Sequence, residues 1–258
     1  MSPLGDVIER SIFIMKFERK QIGHLSSFLF CFLVLLSSYI MIRIVFPYMS
    51  WKWNVDFLLT KQFIIHLDHY RIAFYTHIFS SLLVLFAGAF LFSSYVLKNF
   101  PLMHRNFGKA YIGLILGLSA PSGLIMSFYA NGGYWVKFSF LILTPLWWYF
   151  TFKGYSSIRN IKIKEHKEWM IRSYALTLSA ISLRMYQYLL SHFFYIEPEI
   201  QYLLVSWISW VGNLLVAEAY IRIRYKYFRI TKTGGAECIT TKEIKKLWPV
   251  NIIAITFV

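Results

Sequence analysis

HKEWMIRSYALTLSAISLR, residues 166–184, is the stretch on which the reading of this chain turns. At 3.6 residues per turn, eighteen steps make five whole turns. His166, Met170, Ser173, Thr177, Ala180 and Arg184 therefore share one small, polar helix face. Trp169, Ile171, Leu176, Leu178, Ile181 and Leu183 lie around it, as suits lipid or apolar helix packing. A charged residue in the middle of such a segment is expensive, so Arg184 needs a partner.

The rest of the sequence puts this stretch in a membrane. Of its 258 residues 57% are apolar, 20% aromatic and only 15% charged, an apolar share above that of a soluble domain. Several runs reach the roughly 20 apolar residues that cross about 30 Å of hydrocarbon. The expected fold is an all-α, polytopic membrane helical bundle. Its six spans are expected near 26–47, 72–97, 108–129, 134–155, 169–195 and 200–222, the fourth weakened by Lys137 and Pro145. A basic leader (1–25) and a basic tail (223–258) flank the transmembrane domain (26–222).

The net charge of +15 does not point to nucleic acid, because the basic residues are not gathered in one soluble unit. With the N-terminus inside, the inner segments hold 21 of the 27 Lys and Arg, the outer segments hold 4, and Arg43 and Arg184 lie within helices. That asymmetry follows the positive-inside rule and predicts cytoplasmic termini in a plasma or inner membrane. Cys31, in the first span, and Cys238, in the tail, cannot form an extracellular disulfide framework and read as ordinary thiols. The first apolar run is long and lies after 25 residues without a small-residue cleavage site, which predicts an uncleaved anchor.

Along the chain, the outer loop 48–71 holds His66, Asp68 and His69. Imidazole and carboxylate there suit zinc, but Trp51, Trp53 and Tyr70 favour an aromatic interfacial loop. His77 lies about 7 Å inside the second span, where an intramembrane histidine usually packs helices. In the third span Gly113 and Gly117 make a small-xxx-small pair, and Pro121 predicts a bend near Gly117. Depth arithmetic pairs Arg172, about 5 Å from the inner end of the fifth span, with Glu218, about 6 Å from the inner end of the sixth. Arg184 lies some 16 Å from the outer end, so it must look to Asn213, to hydroxyls or to a bound anion. The tail's final run, LWPVNIIAITFV, is too short to span.

Four stretches carry a family resemblance: FYTHIFSSLLVLFAGAF, HRNFGKAYIGLILGLSAPSGLIMSFYANGG, FSFLILTPLWW and EHKEWMIRSYALTLSAISLRMY. Over roughly residues 50–225 they resemble the bacterial membrane family called domain of unknown function 2306. The patterns fall on His104, Arg105, Gly108, Tyr111, His166, Trp169, Met170, Arg172, Ser173, Tyr174 and Arg184. Its members are multi-helix membrane proteins of unsettled function. A looser likeness reaches transmembrane b-type cytochromes, which hold haem between histidines of neighbouring helices. On that likeness His104 and His166, entering the third and fifth spans from the inner side, ligate the iron of one haem b. Arg105, Arg172 or Lys109 would stand near the propionates, and Gly108, Gly113 and Gly117 would make room for the macrocycle. Electrons would come from a quinol or a redox protein. His77 and His192 form a weaker second pair towards the other side, and the fourth span has no histidine for a two-haem arrangement. Against this stands the reading that His, Arg and Trp only mark helix starts at the polar interface. The contrasting function is a transporter-like or scaffold protein with a polar internal cavity around Arg184 and His77. No G-x-S-x-G, Walker loop or H-E-x-x-H supports a soluble catalytic site.

Overall fold

The computed structural model describes residues 32, 34 and 36–232. The expected leader, the run LWPVNIIAITFV, Cys31 and Cys238 lie outside the described residues. Every regular element among the described residues is helical, and the chain folds as an all-α membrane bundle. Helix α1 runs through residues 36–45. Two short turns, Phe46–Ser50 and Asp56–Lys61, follow in the outer loop. Then come α2 (Asp68–Leu91), α3 (Ser94–Asn99), α4 (Pro101–Leu114), α5 (Ala120–Phe128), α6 (Gly133–Arg159), α7 (Ile163–Thr177), α8 (Ser179–Phe193) and α9 (Pro198–Lys232).

Three stretches are long and apolar enough to cross a membrane by composition: Asp68–Leu91, Pro101–Phe128 and Pro198–Ile223. At 1.5 Å per residue the 27 residues of α6 also give about 40 Å of helix. Lys137 and Pro145 do not break it. Large apolar side chains such as Leu83, Phe90, Leu102 and Leu215 stand exposed, a surface that suits lipid and would be an aggregation hazard in water.

Two expectations are corrected by local backbone chemistry. The second span ends at Leu91, and the Ser93 hydroxyl caps a separate helix, α3, by accepting from the Val96 amide at 3.4 Å. The last apolar span ends at Ile223, close to the expected 222, while its helix continues to Lys232. The fifth span is not one helix. Its ladder is interrupted at Leu178, and the break is stitched by polar groups. Ser179 donates its hydroxyl to Leu176 O at 2.6 Å, and Asn213 Nδ2 donates to Ala175 O at 3.1 Å. In lipid such backbone irregularity survives only where partners re-satisfy it.

The expected bend in the third span is present. Residues Ile115–Ser119 form a π turn, with the Ala120 amide reaching back to Ile115 O. Pro121 has no N–H for the Gly117 carbonyl, which is the physical reason for irregularity just before it. The turn between α5 and α6 depends on Gly132, whose φ of +88° suits glycine and where a Cβ would press into Tyr202.

The core joins α2, α4, α6, α7 and α9 through Val84, Tyr111, Ile115, Trp147, Tyr174 and Trp210. Tyr174 of α7 lies against Gly88 of α2 and stacks on Phe92 at 4.7 Å. Ser139 of α6 donates to Ser206 O and accepts from Trp210 Nε1, tying α6 to α9 as hydroxyls do inside membranes. A second cluster of Tyr48, Leu58, Ile65, Tyr70, Phe74 and Tyr75 seals the outer loop against α2.

Candidate functional site

The break at Leu178 turns α8 so that Arg184 opens into a cavity of about 280 Å³ between α1, α2, α5, α6, α8 and α9. Arg184 is exposed and lines this cavity. Its Nη1 donates to Ala180 O of its own helix at 3.3 Å. Among the described residues the ion pairs are Arg71–Asp68, Lys162–Glu165 and Arg172–Glu218, so no carboxylate there pairs with Arg184. The hydroxyls of Tyr48 and Tyr202 lie within its electrostatic reach. Asn213, one of the partners the sequence left open, accepts from Ser182 Oγ at 3.0 Å and serves the helix break.

His77 lies across the cavity on α2. Its Nδ1–H donates to Ser119 O, the last residue of the π turn, at 2.8 Å, and this bond fixes the orientation of the ring. Gly123 admits the ring, since a Cβ there would stand 2.9 Å from it. Thus Pro121, the π turn and Gly123 act together to place one imidazole.

At the outer end the cavity is closed by Lys61, only 3% exposed. Its ammonium donates to Tyr129 O and, at 2.5 Å, to Asn131 Oδ1, while Asn131 Nδ2 donates to Thr60 Oγ1 at 3.0 Å. The outer loop is thereby clasped to the turn between α5 and α6. Burial, aided by the charge of Lys137, lowers the Lys61 ammonium from the ordinary 10.5 to about 8. Lys61 was legible only as one basic residue of the outer loop, although a lysine inside LLTKQFII, opposed by an NGG turn, is the signal that points to it. His66, Asp68 and His69 do not gather into a metal group among the described residues. Asp68 pairs with Arg71, and His69 Nε2 bonds Tyr129 Oη at 2.7 Å.

His104 and His166 do come within electrostatic reach of one another at the other end of the bundle. His166 Nδ1–H donates to Gly154 O at 2.8 Å, and the buried Nδ1 of His104 has no partner. Arg172 binds Glu218 through two bonds of 2.5 and 3.1 Å and stacks over Trp169 at 4.7 Å, as depth arithmetic predicts, so its charge is already matched. Arg105 and Lys109 are exposed. Gly113 and Gly117 face open space, and Gly108 faces Leu91 of α2 at 3.8 Å. Deeper along this helix pair Tyr111 fills the contact between α4 and α7, its hydroxyl shared with Ser173 at 3.2 Å and Thr177 at 3.1 Å. His192 is exposed on α8, stacked on Tyr188, and does not line the cavity that holds His77.

The fold defines a polytopic α-helical membrane protein, with a cavity inside its bundle that a few polar residues line. The chain belongs to the family described as predicted membrane protein (DUF2306), whose profile matches residues 74–221, more than half of its length. That match runs from α2 to α9 and takes in His77, His104, His166 and Arg184. No curated protein and no solved structure matches the chain.

Proposed function

We propose that this protein is a transporter-like membrane protein that binds a small ligand in the cavity between Lys61, His77 and Arg184. The observation that carries the reading is Arg184, an intramembrane cation that lines this cavity and has no carboxylate partner among the described residues. Such a residue is costly to keep in a bilayer without a role. The cavity also carries directional polar groups at both ends, Lys61 with Asn131 outside and His77 with Thr177 deeper in. Binding sites of this kind are mostly apolar with a few placed polar groups.

The test is a single cysteine at Ser179, a buried residue of the cavity wall, in a chain whose Cys31 and Cys238 are replaced by serine. A small membrane-permeant thiol reagent is expected to modify it, and a bulky impermeant one to fail. Complete inertness to both sinks the cavity as a site. An absorption spectrum of the unlabelled protein, purified from haem-replete cells, separates this reading from the haem one. A Soret band lost in His104→Ala or His166→Ala would decide for haem.

A further inference from the structure

We infer that the ligand of this cavity is an anionic amphiphile, a single carboxylate on a short apolar chain; the inference rests on the cavity reading above. Two cations, Arg184 and Lys61, line the space, and no Asp or Glu is among the described lining residues. A cation inside a bilayer without counter-charge is unfavourable, and an anion beside Arg184 removes that cost. The guanidinium offers a planar fork that matches a carboxylate, and only one of its donors is committed, to Ala180 O.

The remaining wall limits what the anion can carry. Ile78, Leu82, Leu85, Phe140, Leu143 and Leu183 surround the polar ends. Of the hydroxyls in the wall, Ser127 donates to Gly123 O at 2.8 Å and Thr144 to Phe140 O at 2.9 Å, while Ser81 Oγ and Ser209 Oγ have no partner among the described residues. A bare phosphate dianion would leave the apolar wall without a partner. An organic cation would meet two positive charges. A volume of about 280 Å³ lies at the low end of ligand pockets, which run from about 300 Å³ upward. The apolar chain is accordingly short.

The experiment uses the full chain in nanodiscs of zwitterionic lipid, with radiolabelled octanoate and empty nanodiscs as the partition control. Saturable octanoate binding is expected, undiminished by inorganic phosphate, octylammonium or octanol. Arg184→Gln is expected to weaken it at least tenfold, and Arg184→Lys less. Equal competition by octanol or octylammonium overturns the anionic class and leaves the cavity reading standing. Competition by phosphate overturns the amphiphile. Undiminished binding in a folded Arg184→Gln also overturns the inference, and the probe comparison on the wild-type chain decides even where that variant does not fold. If no probe binds and the Ser179→Cys thiol is inert, it is the cavity itself that fails.

Discussion

A lysine 3% exposed, donating to a carbonyl and an amide oxygen, carries a charge that folding opposes. Lys61 is lowered to about 8 in the folded chain against 10.5 ordinarily, by burial first and then by Lys137. Between those values the unfolded chain keeps a proton that the folded chain has shed, so stability rises with pH from about 8 upward and is flat below it. The apparent unfolding midpoint of the wild type is expected to rise relative to Lys61→Met between pH 7 and pH 10. A difference that stays constant across that range would falsify the assignment. Other residues were more legible in the sequence than Lys61. The Arg172–Glu218 pair follows from depth alone, because helix rise converts residue number into distance along a span. Arg184 was legible as a residue needing a partner. Depth left Asn213, hydroxyls and a bound anion open as its partners, because depth does not say which way a side chain points; Asn213 bonds Ser182 and Ala175 instead.

Among the elements, the third span shows both what a pattern reveals and what it hides. A proline inside an apolar run announces lost hydrogen bonding, and the π turn at Ile115–Ser119 stands where Pro121 requires it. What the pattern does not reveal is the use made of the freed carbonyls: Leu116 O accepts from Trp148 Nε1 at 3.2 Å and Ser119 O from His77. In Pro121→Ala an amide becomes available to Gly117 O, and the turn is expected to tighten towards a regular helix. One added backbone bond, worth about 1 kcal/mol, should slow amide exchange across residues 115–122 several-fold. Unchanged exchange there would show that Pro121 is not the cause of the turn. The glycines teach the opposite lesson. Gly113 and Gly117 carry the recognisable spacing yet face open space, whereas Gly88, which stands in no such motif, admits Tyr174, and Gly123 admits His77. Spacing marks where a helix is smooth, and only the fold decides what meets it. The break at Leu178 was hidden for a similar reason. A one-residue interruption inside TLS leaves the apolar period intact on either side.

For the molecule as a whole, composition settled the fold class, because helices and closed barrels are the forms that satisfy backbone groups in lipid. Orientation is a separate matter, carried by the asymmetry of Lys and Arg. Phe63, 93% exposed in the outer loop, and Ile161, 81% exposed in the turn between α6 and α7, lie beyond opposite ends of the bundle. Single cysteines at these positions, in a chain without Cys31 and Cys238, are expected to react with an impermeant reagent on intact cells at 63 and only after lysis at 161. The reverse pattern would place the termini outside. Arg184 then has a consequence for the energetics of a living cell. Nine residues before the end of α8, it lies about 14 Å into the bundle, well inside the region over which a transmembrane voltage falls. A negative charge drawn to that guanidinium from either face crosses part of the voltage drop, and a full crossing is worth about 2.3 kcal/mol per 100 mV. On the proposed reading, filling the site with an anion is electrogenic, and its occupancy responds to the potential of the membrane as well as to the concentration of the ligand.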